Sequence, residues 1–115
     1  MSSLIYYISP AGDNPVSNFI TSLSNRQQRK LIRIFKHLEE FGVKGPRENV
    51  KKLSGTPLWE IRILGKDNIR IIYTVVFLGQ ILLLHGFIKK KQKTPKKELK
   101  TSLDRYKEWI KSNPH

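Results

Sequence analysis

The sequence predicts an α+β domain in which an antiparallel sheet packs against two N-terminal helices and a C-terminal helix. One N-terminal strand and a three-strand meander should form that sheet. Three observations carry this. Apolar residues recur at helical spacing in two blocks before Gly42 and in one after Pro95, whereas Leu58 to Ile88 falls into three runs rich in β-branched, leucine and aromatic residues. Gly, Pro, Asn and Ser separate the runs as turn formers. The resulting order (strand, two helices, three strands, helix) lacks the βαβ alternation of a parallel sheet. A chain of 115 residues is one domain, 1–115, able to bury roughly two-thirds of its unfolded surface.

Leu4 to Ile8 is a short apolar run closed by Ser9-Pro10 and Gly12-Asp13-Asn14, a strand followed by a loop. Asn14-Pro15 supplies an N-cap and a first helical residue, and Val16, Phe19, Ile20 and Leu23 then form an apolar stripe. Ser24-Asn25 restarts a second helix. Leu31, Ile34, Phe35, Leu38 and Phe41 fall on one side of it, and Arg26, Arg29, Lys30, Arg33 and Lys36 on the other; Gly42 ends it. Gly45-Pro46 marks a loop, and Val50 to Leu53 leads into the turn Ser54-Gly55-Thr56-Pro57. The meander strands are Leu58 to Leu64, Ile69 to Leu78 and Ile81 to Ile88, with Gly65-Lys66-Asp67-Asn68 and Gly79-Gln80 between them. Ile81 to Ile88 is apolar at odd and even positions, which predicts the central strand. Thr94-Pro95 opens the last helix as N-cap and first residue. Leu99, Leu103, Tyr106 and Ile110 are its apolar stripe, with Trp109 at the edge.

Twenty-two Lys and Arg against nine Asp and Glu leave a net charge of +13. From Gly86 to the end there are ten basic and three acidic residues, so +7 of that charge sits in the last thirty positions. Localised excess charge points to a polyanion-binding face, nucleic acid ahead of anionic lipid. No apolar run approaches the roughly 20 residues that span a bilayer, and the N-terminus lacks signal-peptide character. Without cysteine there is no disulfide framework or thiolate metal site. The expected setting is cytoplasmic, with no membrane partner.

Strand alternation puts Glu60 and Arg62 on one side and Trp59, Ile61 and Ile63 on the other; Arg70, Ile72 and Thr74 likewise share a side. A tight hairpin can bring Arg62 and Arg70 onto one surface, with a register that the sequence alone does not fix; two guanidinium forks there would hold phosphate oxygens. The competing role for Arg62 is a structural ion pair with Glu60; Arg70 has no carboxylate two positions away. His85 is either a satisfied core histidine or an acid or base at the strand end, and Tyr73 reads first as a core aromatic. Lys89, Lys90, Lys91, Lys93, Lys96 and Lys97 crowd the strand-to-helix junction, where mutual repulsion depresses lysine pKa values. The sequence has no His-x-x-x-His, Asp-x-Asp, CxxC, GxGxxG or Walker-type motif. The chemistry that remains open is metal-free RNA cleavage, in which the 2′-OH is the nucleophile.

Trp59-Glu60-Ile61-Arg62, Arg70-Ile71-Ile72-Tyr73 and Leu84-His85-Gly86-Phe87-Ile88-Lys89-Lys90, followed by Gln92-Lys93-Thr94-Pro95, resemble the phage-derived Gp49-like, HigB-type toxins of the RelE/ParE superfamily. The match covers residues 51–97. The resemblance implies a RelE-like fold and a type II toxin that cleaves mRNA on the ribosome without a cofactor or metal. It also implies a cognate helix-turn-helix antitoxin of HigA type. Arg70 resembles the family's sheet arginine at the scissile phosphate, and Lys89, Lys90 and Lys93 its basic strand end. The expected roles are phosphate stabilisation by Arg70 and Arg62, proton transfer by His85 or Lys90, and RNA binding by Lys89, Lys91, Lys93, Lys96 and Lys97. The departure from the pattern is that no aspartate neighbours His85. The alternatives are a ParE-like toxin that acts on gyrase without cleaving RNA, or a plain RNA-binding module.

Overall fold

The computed structural model describes residues 3–42, 49–63, 68–90 and 94–114. Eight elements follow in order: β1 Leu4–Tyr6, α1 Pro15–Thr21, α2 Asn25–Phe41, β2 Val50–Lys52, β3 Leu58–Ile63, β4 Ile69–Val75, β5 Ile81–Ile88 and α3 Lys96–Ser112. The α+β class is as expected, with α1 and α2 on one face of the sheet and α3 on the other.

Local chemistry sets the helix starts. The Asn14 side chain accepts the Ser17 N–H at 3.1 Å, with Pro15 opening α1. Ser24 and Gln27 close a reciprocal capping box on α2, which satisfies two otherwise orphan donors. Gly42 ends α2 at φ 75°, donating its N–H to the Leu38 carbonyl at 2.7 Å.

The five strands run in the order β1-β5-β4-β3-β2. Three features differ from expectation. First, β1 pairs parallel to β5, so the sheet is mixed. A tight hairpin forces antiparallel pairing, but two helices separate β1 from the rest of the sheet and leave its direction free. Second, Val50–Lys52 is itself a strand paired with β3 at the opposite edge. Third, β4 and not β5 is the middle strand; β5 lies between β4 and β1. β1 also stops at Tyr6. β4 stops at Val75, and a 3-10 turn follows over Phe77–Gly79 with its middle residue, Leu78, at φ 59°. The expected loop at Gly45-Pro46 and residues 64–67 of the β3–β4 connection lie outside the described residues.

Two apolar cores result. Ile61, Ile63, Ile69, Ile71, Tyr73, Ile81 and Leu83 meet Val16, Leu31, Ile34, Phe35 and Leu38 on the α1–α2 face. Leu58, Ile72, Leu82, Leu84 and Phe87 meet Leu99, Leu103, Tyr106 and Trp109 on the α3 face. A bulge between Ile72 and Tyr73 of β4 and the facing β5 residues pairs Tyr73 with Leu83 and Ile72 with His85, leaving Leu84 as the extra residue. The shift turns His85, Phe87 and Lys89 to the α3 face, the face of Arg62 and Arg70.

Candidate nucleic-acid interface

Register builds the site. On the α3 face one row across the sheet reads Lys51, Glu60, Ile72, His85, and the next places Arg62 directly opposite Arg70, with Phe87 beyond. Lys89 follows on β5, its N–H donating to the Asn68 carbonyl at 2.8 Å. Four cations thus surround one carboxylate. Arg62 and Arg70 are like charges in facing positions, an arrangement that costs stability unless an anion offsets it.

Glu60 is that internal anion, and it is almost wholly buried. Its Oε1 lies 3.5 Å from Arg70 Nε, and its Oε2 accepts the Thr94 hydroxyl at 2.7 Å. Arg70 is 5% exposed and also donates through Nη1 to the carbonyls of Ile69 at 3.0 Å and Ile63 at 3.4 Å. Burial pushes its pKa down; Glu60 opposes this and Arg62 adds to it. The ion pair considered for Arg62 is therefore made by Arg70. Arg70 is braced beneath the surface by its Nη1 bonds and its ion pair, while Arg62 is half-buried; among the described residues the Nε of neither has a hydrogen-bond partner.

Thr94 does not cap α3. Its hydroxyl is committed to Glu60, and the helix starts one residue later, at Lys96, with Pro95 as cap and no side-chain cap bond. This ties the start of α3 to the cationic end of the sheet. Beside the tie, a pocket of about 310 Å³ opens between β2 and α3. Lys51 and Lys89 line it with Thr94, Leu99, Leu53, Ser54 and Thr56. Burial lowers the Lys89 pKa first; Glu60 raises it, and Arg70, Lys51 and Arg62 lower it further.

His85 stands apart from this pocket. Its Nε2 is 3.0 Å from Glu98 Oε1 and its Nδ1 is 3.1 Å from Arg105 Nη1, so α3 engages both ring nitrogens. Arg105 also donates to the Leu84 carbonyl at 2.8 Å and lies over the Tyr7 ring, whose hydroxyl donates to Glu108. Burial lowers the His85 pKa, opposed by its hydrogen bond to Glu98 and assisted by Arg105. The sequence lacks an aspartate beside His85, but the fold brings Glu98 to it from α3.

The remaining expected residues divide. Lys90 is exposed just past β5, and Lys96 and Lys97 are exposed in the first turn of α3. Lys91 and Lys93 lie outside the described residues. Sequence alone gives Glu60 to Arg62 and makes Thr94 a helix cap, and it gives Lys51 and Glu98 no part in the site. For Lys51 a signal existed: Val50-Lys51-Lys52 precedes the hairpin with strand alternation, and Lys51 faces Glu60.

The positive wall around a single buried carboxylate can hold an oxyanion at its surface, and Lys89 can exchange a proton there. Among the described residues no group of three His, Cys, Asp or Glu is placed to hold a metal ion, and no helix is long and apolar enough to cross a membrane. No curated protein matches the chain. The family model for phage derived protein Gp49-like (DUF891) matches residues 18–107, from α1 to the middle of α3, taking in every strand of the cationic face. That span is most of the chain, and the protein belongs to the Gp49-like family of phage-derived proteins.

Proposed function

We propose that the protein is the toxin of a toxin–antitoxin pair and cleaves ribosome-bound mRNA at the pocket between β2 and α3, with no metal required. One observation supports the reading: Lys51 and Lys89 line the pocket, Arg62 adds its charge to the field on Lys89, and the carboxylate among them, Glu60, is already taken by Arg70 and Thr94. The relation of the Gp49-like family to RelE-type toxins supports it.

In the proposed reaction the 2′-oxygen bonds to the adjacent phosphorus and the bond from phosphorus to the 5′-oxygen breaks. The 2′-OH gives its proton to a base, and the departing 5′-oxygen receives one from an acid. The products are a 2′,3′-cyclic phosphate and a 5′-hydroxyl. Arg62 stabilises charge on the phosphorane oxygens, and Arg70 holds the strand pair on which Arg62 stands. Lys89 acts as the base, its lowered pKa keeping a larger neutral fraction than a solvated lysine has. The exposed Lys90, Lys96 and Lys97 draw in the flanking phosphates. An antitoxin would silence the site by laying carboxylates over these cations.

The test is cleavage of mRNA on programmed ribosomes by wild type and by Arg62→Ala. Cleavage should fall about 10²–10³-fold in the variant, the usual effect of removing one donor to a developing oxyanion. No cleavage by wild type, or equal cleavage by both, overturns the proposal.

A further inference from the structure

We infer that the pocket between β2 and α3 is a nucleobase subsite and that it selects guanine. The inference rests on the proposed action on RNA and supplies what that reading leaves open, the base recognised beside the scissile bond.

The pocket has apolar walls as well as charge. Leu53, from the turn after β2, and Leu99, from α3, both line it and both pack against the core beneath α3. Apolar surface on two sides suits a base taken out of its stack, which is held by its faces and read along its edge. A volume of about 310 Å³ is at the small end for ligand pockets and suits one base. Arg62 is placed for the phosphate of the same nucleotide. Lys51 faces Glu60, and Arg62 lies two residues on along β3, a step of about 7 Å. That step is comparable to the reach from a phosphate across its sugar to the base.

The free hydrogen-bonding groups decide which base fits. Thr94 gives its hydroxyl proton to Glu60 at 2.7 Å. Thr56 gives its own to the Leu53 carbonyl at 2.7 Å and accepts the Leu58 N–H at 3.1 Å. Lys51 faces Glu60 across the ladder, but Arg70 and Thr94 hold that carboxylate. The donors left for a ligand are the amino groups of Lys51 and Lys89 and the Ser54 hydroxyl. Lys89 serves the 2′-OH in the proposed reaction, so Lys51 is the reader. An ammonium donates and cannot accept. It suits an edge with adjacent acceptors, guanine O6 and N7, the pair that arginine and lysine read most often. Adenine puts an amino group in place of O6, and cytosine carries one on its own edge. Uracil offers a carbonyl, but it has one ring fewer to cover Leu53 and Leu99. Guanine meets both demands.

The experiment titrates guanosine, adenosine, cytidine and uridine 5′-monophosphates separately into the full-length protein, without ribosomes, by calorimetry. Phosphate and sugar are common to all four, so differences in affinity report the base. Guanosine monophosphate should bind at least about 5-fold tighter than adenosine monophosphate, the lower bound for one good base contact. Lys51→Met should remove that difference with an unchanged melting temperature, since Lys51 is exposed. Arg62→Ala should weaken all four nucleotides alike. Equal binding of the four by wild type, or binding of none, overturns the inference, as does a guanine preference that survives Lys51→Met. Guanine-selective binding by a protein that cuts no mRNA would sink the proposed reaction and not this subsite. Cleavage of ribosome-bound mRNA with equal binding of the four nucleotides would sink the subsite alone.

Discussion

Arg62 faces Arg70 directly across the β3–β4 ladder, and Glu60 engages Arg70, leaving Arg62 without a carboxylate partner among the described residues. Two identical side chains at paired positions thereby acquire different duties. Arg70→Ala leaves Glu60 buried without its ion-pair partner and should cost about 3–5 kcal/mol in urea unfolding. Arg62→Ala relieves a like-charge contact and should change stability by no more than about 1 kcal/mol. Equal stability losses in the two variants would refute this division.

The base assigned to Lys89 has a pH signature. With its pKa depressed in the folded protein, the neutral form gains population as pH rises toward the ordinary lysine value of 10.5. The cleavage rate should climb with pH and level off below that value. Lys89→Arg keeps the charge but does not deprotonate, so the rising limb should vanish. A profile identical to wild type removes Lys89 as the base.

The class of fold, the starts of α1 and α2 and the shared face of Arg62 and Arg70 are legible because they rest on local rules: caps, turns and two-residue alternation; the start of α3 is not, because Thr94 is drawn away to Glu60. Nor is the direction of β1, since nothing near Leu4 to Tyr6 states which way it meets β5. His85 shows a subtler limit. Strict alternation along β5 puts His85 on the side of Leu83 and Ile81; the bulge at Leu84 moves it beneath α3, and no glycine or proline at Leu84 announces that bulge. Glu60 misled for a different reason. Counting neighbours along one strand favours Arg62 as its partner, whereas the diagonal neighbour on the next strand, Arg70, takes the carboxylate.

Tyr73 separates a core role from a chemical one. It is fully buried, its ring stacks on Trp59 at 6.4 Å, and its hydroxyl has no hydrogen-bond partner among the described residues. Burial raises its pKa far above the ordinary tyrosine value. Tyr73→Phe deletes an unsatisfied polar atom and should hold or raise stability by up to about 1 kcal/mol with full cleavage activity. Loss of activity in that variant would return Tyr73 to the list of proton donors.

His85 sets a limit on the acid side. Its folded pKa lies below the ordinary imidazole value of 6.5, so between those two values the unfolded chain binds the proton more readily. Stability contributed by the neutral imidazole is therefore complete above 6.5 and declines as pH falls toward the folded value, by at most about 1.4 kcal/mol per pH unit. His85→Gln, compared with wild type by urea midpoint between pH 7.5 and 5, should show a shallower decline. Parallel curves would mean that burial leaves the ring's titration unperturbed.

Gly86 joins the two faces of the molecule. It sits on β5 between His85 and Phe87, and a Cβ built there would lie 2.3 Å from the Phe19 ring and 3.0 Å from Ile71 Cδ1. α1 approaches the sheet that closely because the position has no side chain. Gly86→Ala must displace Phe19 within a close-packed layer, and overpacking of this kind costs about 1–3 kcal/mol. Phe19→Leu, which removes the offending ring atoms, should recover part of that loss in the double variant although it is destabilising alone. Strict additivity of the two changes in thermal unfolding would show that the contact between α1 and β5 is not what requires glycine.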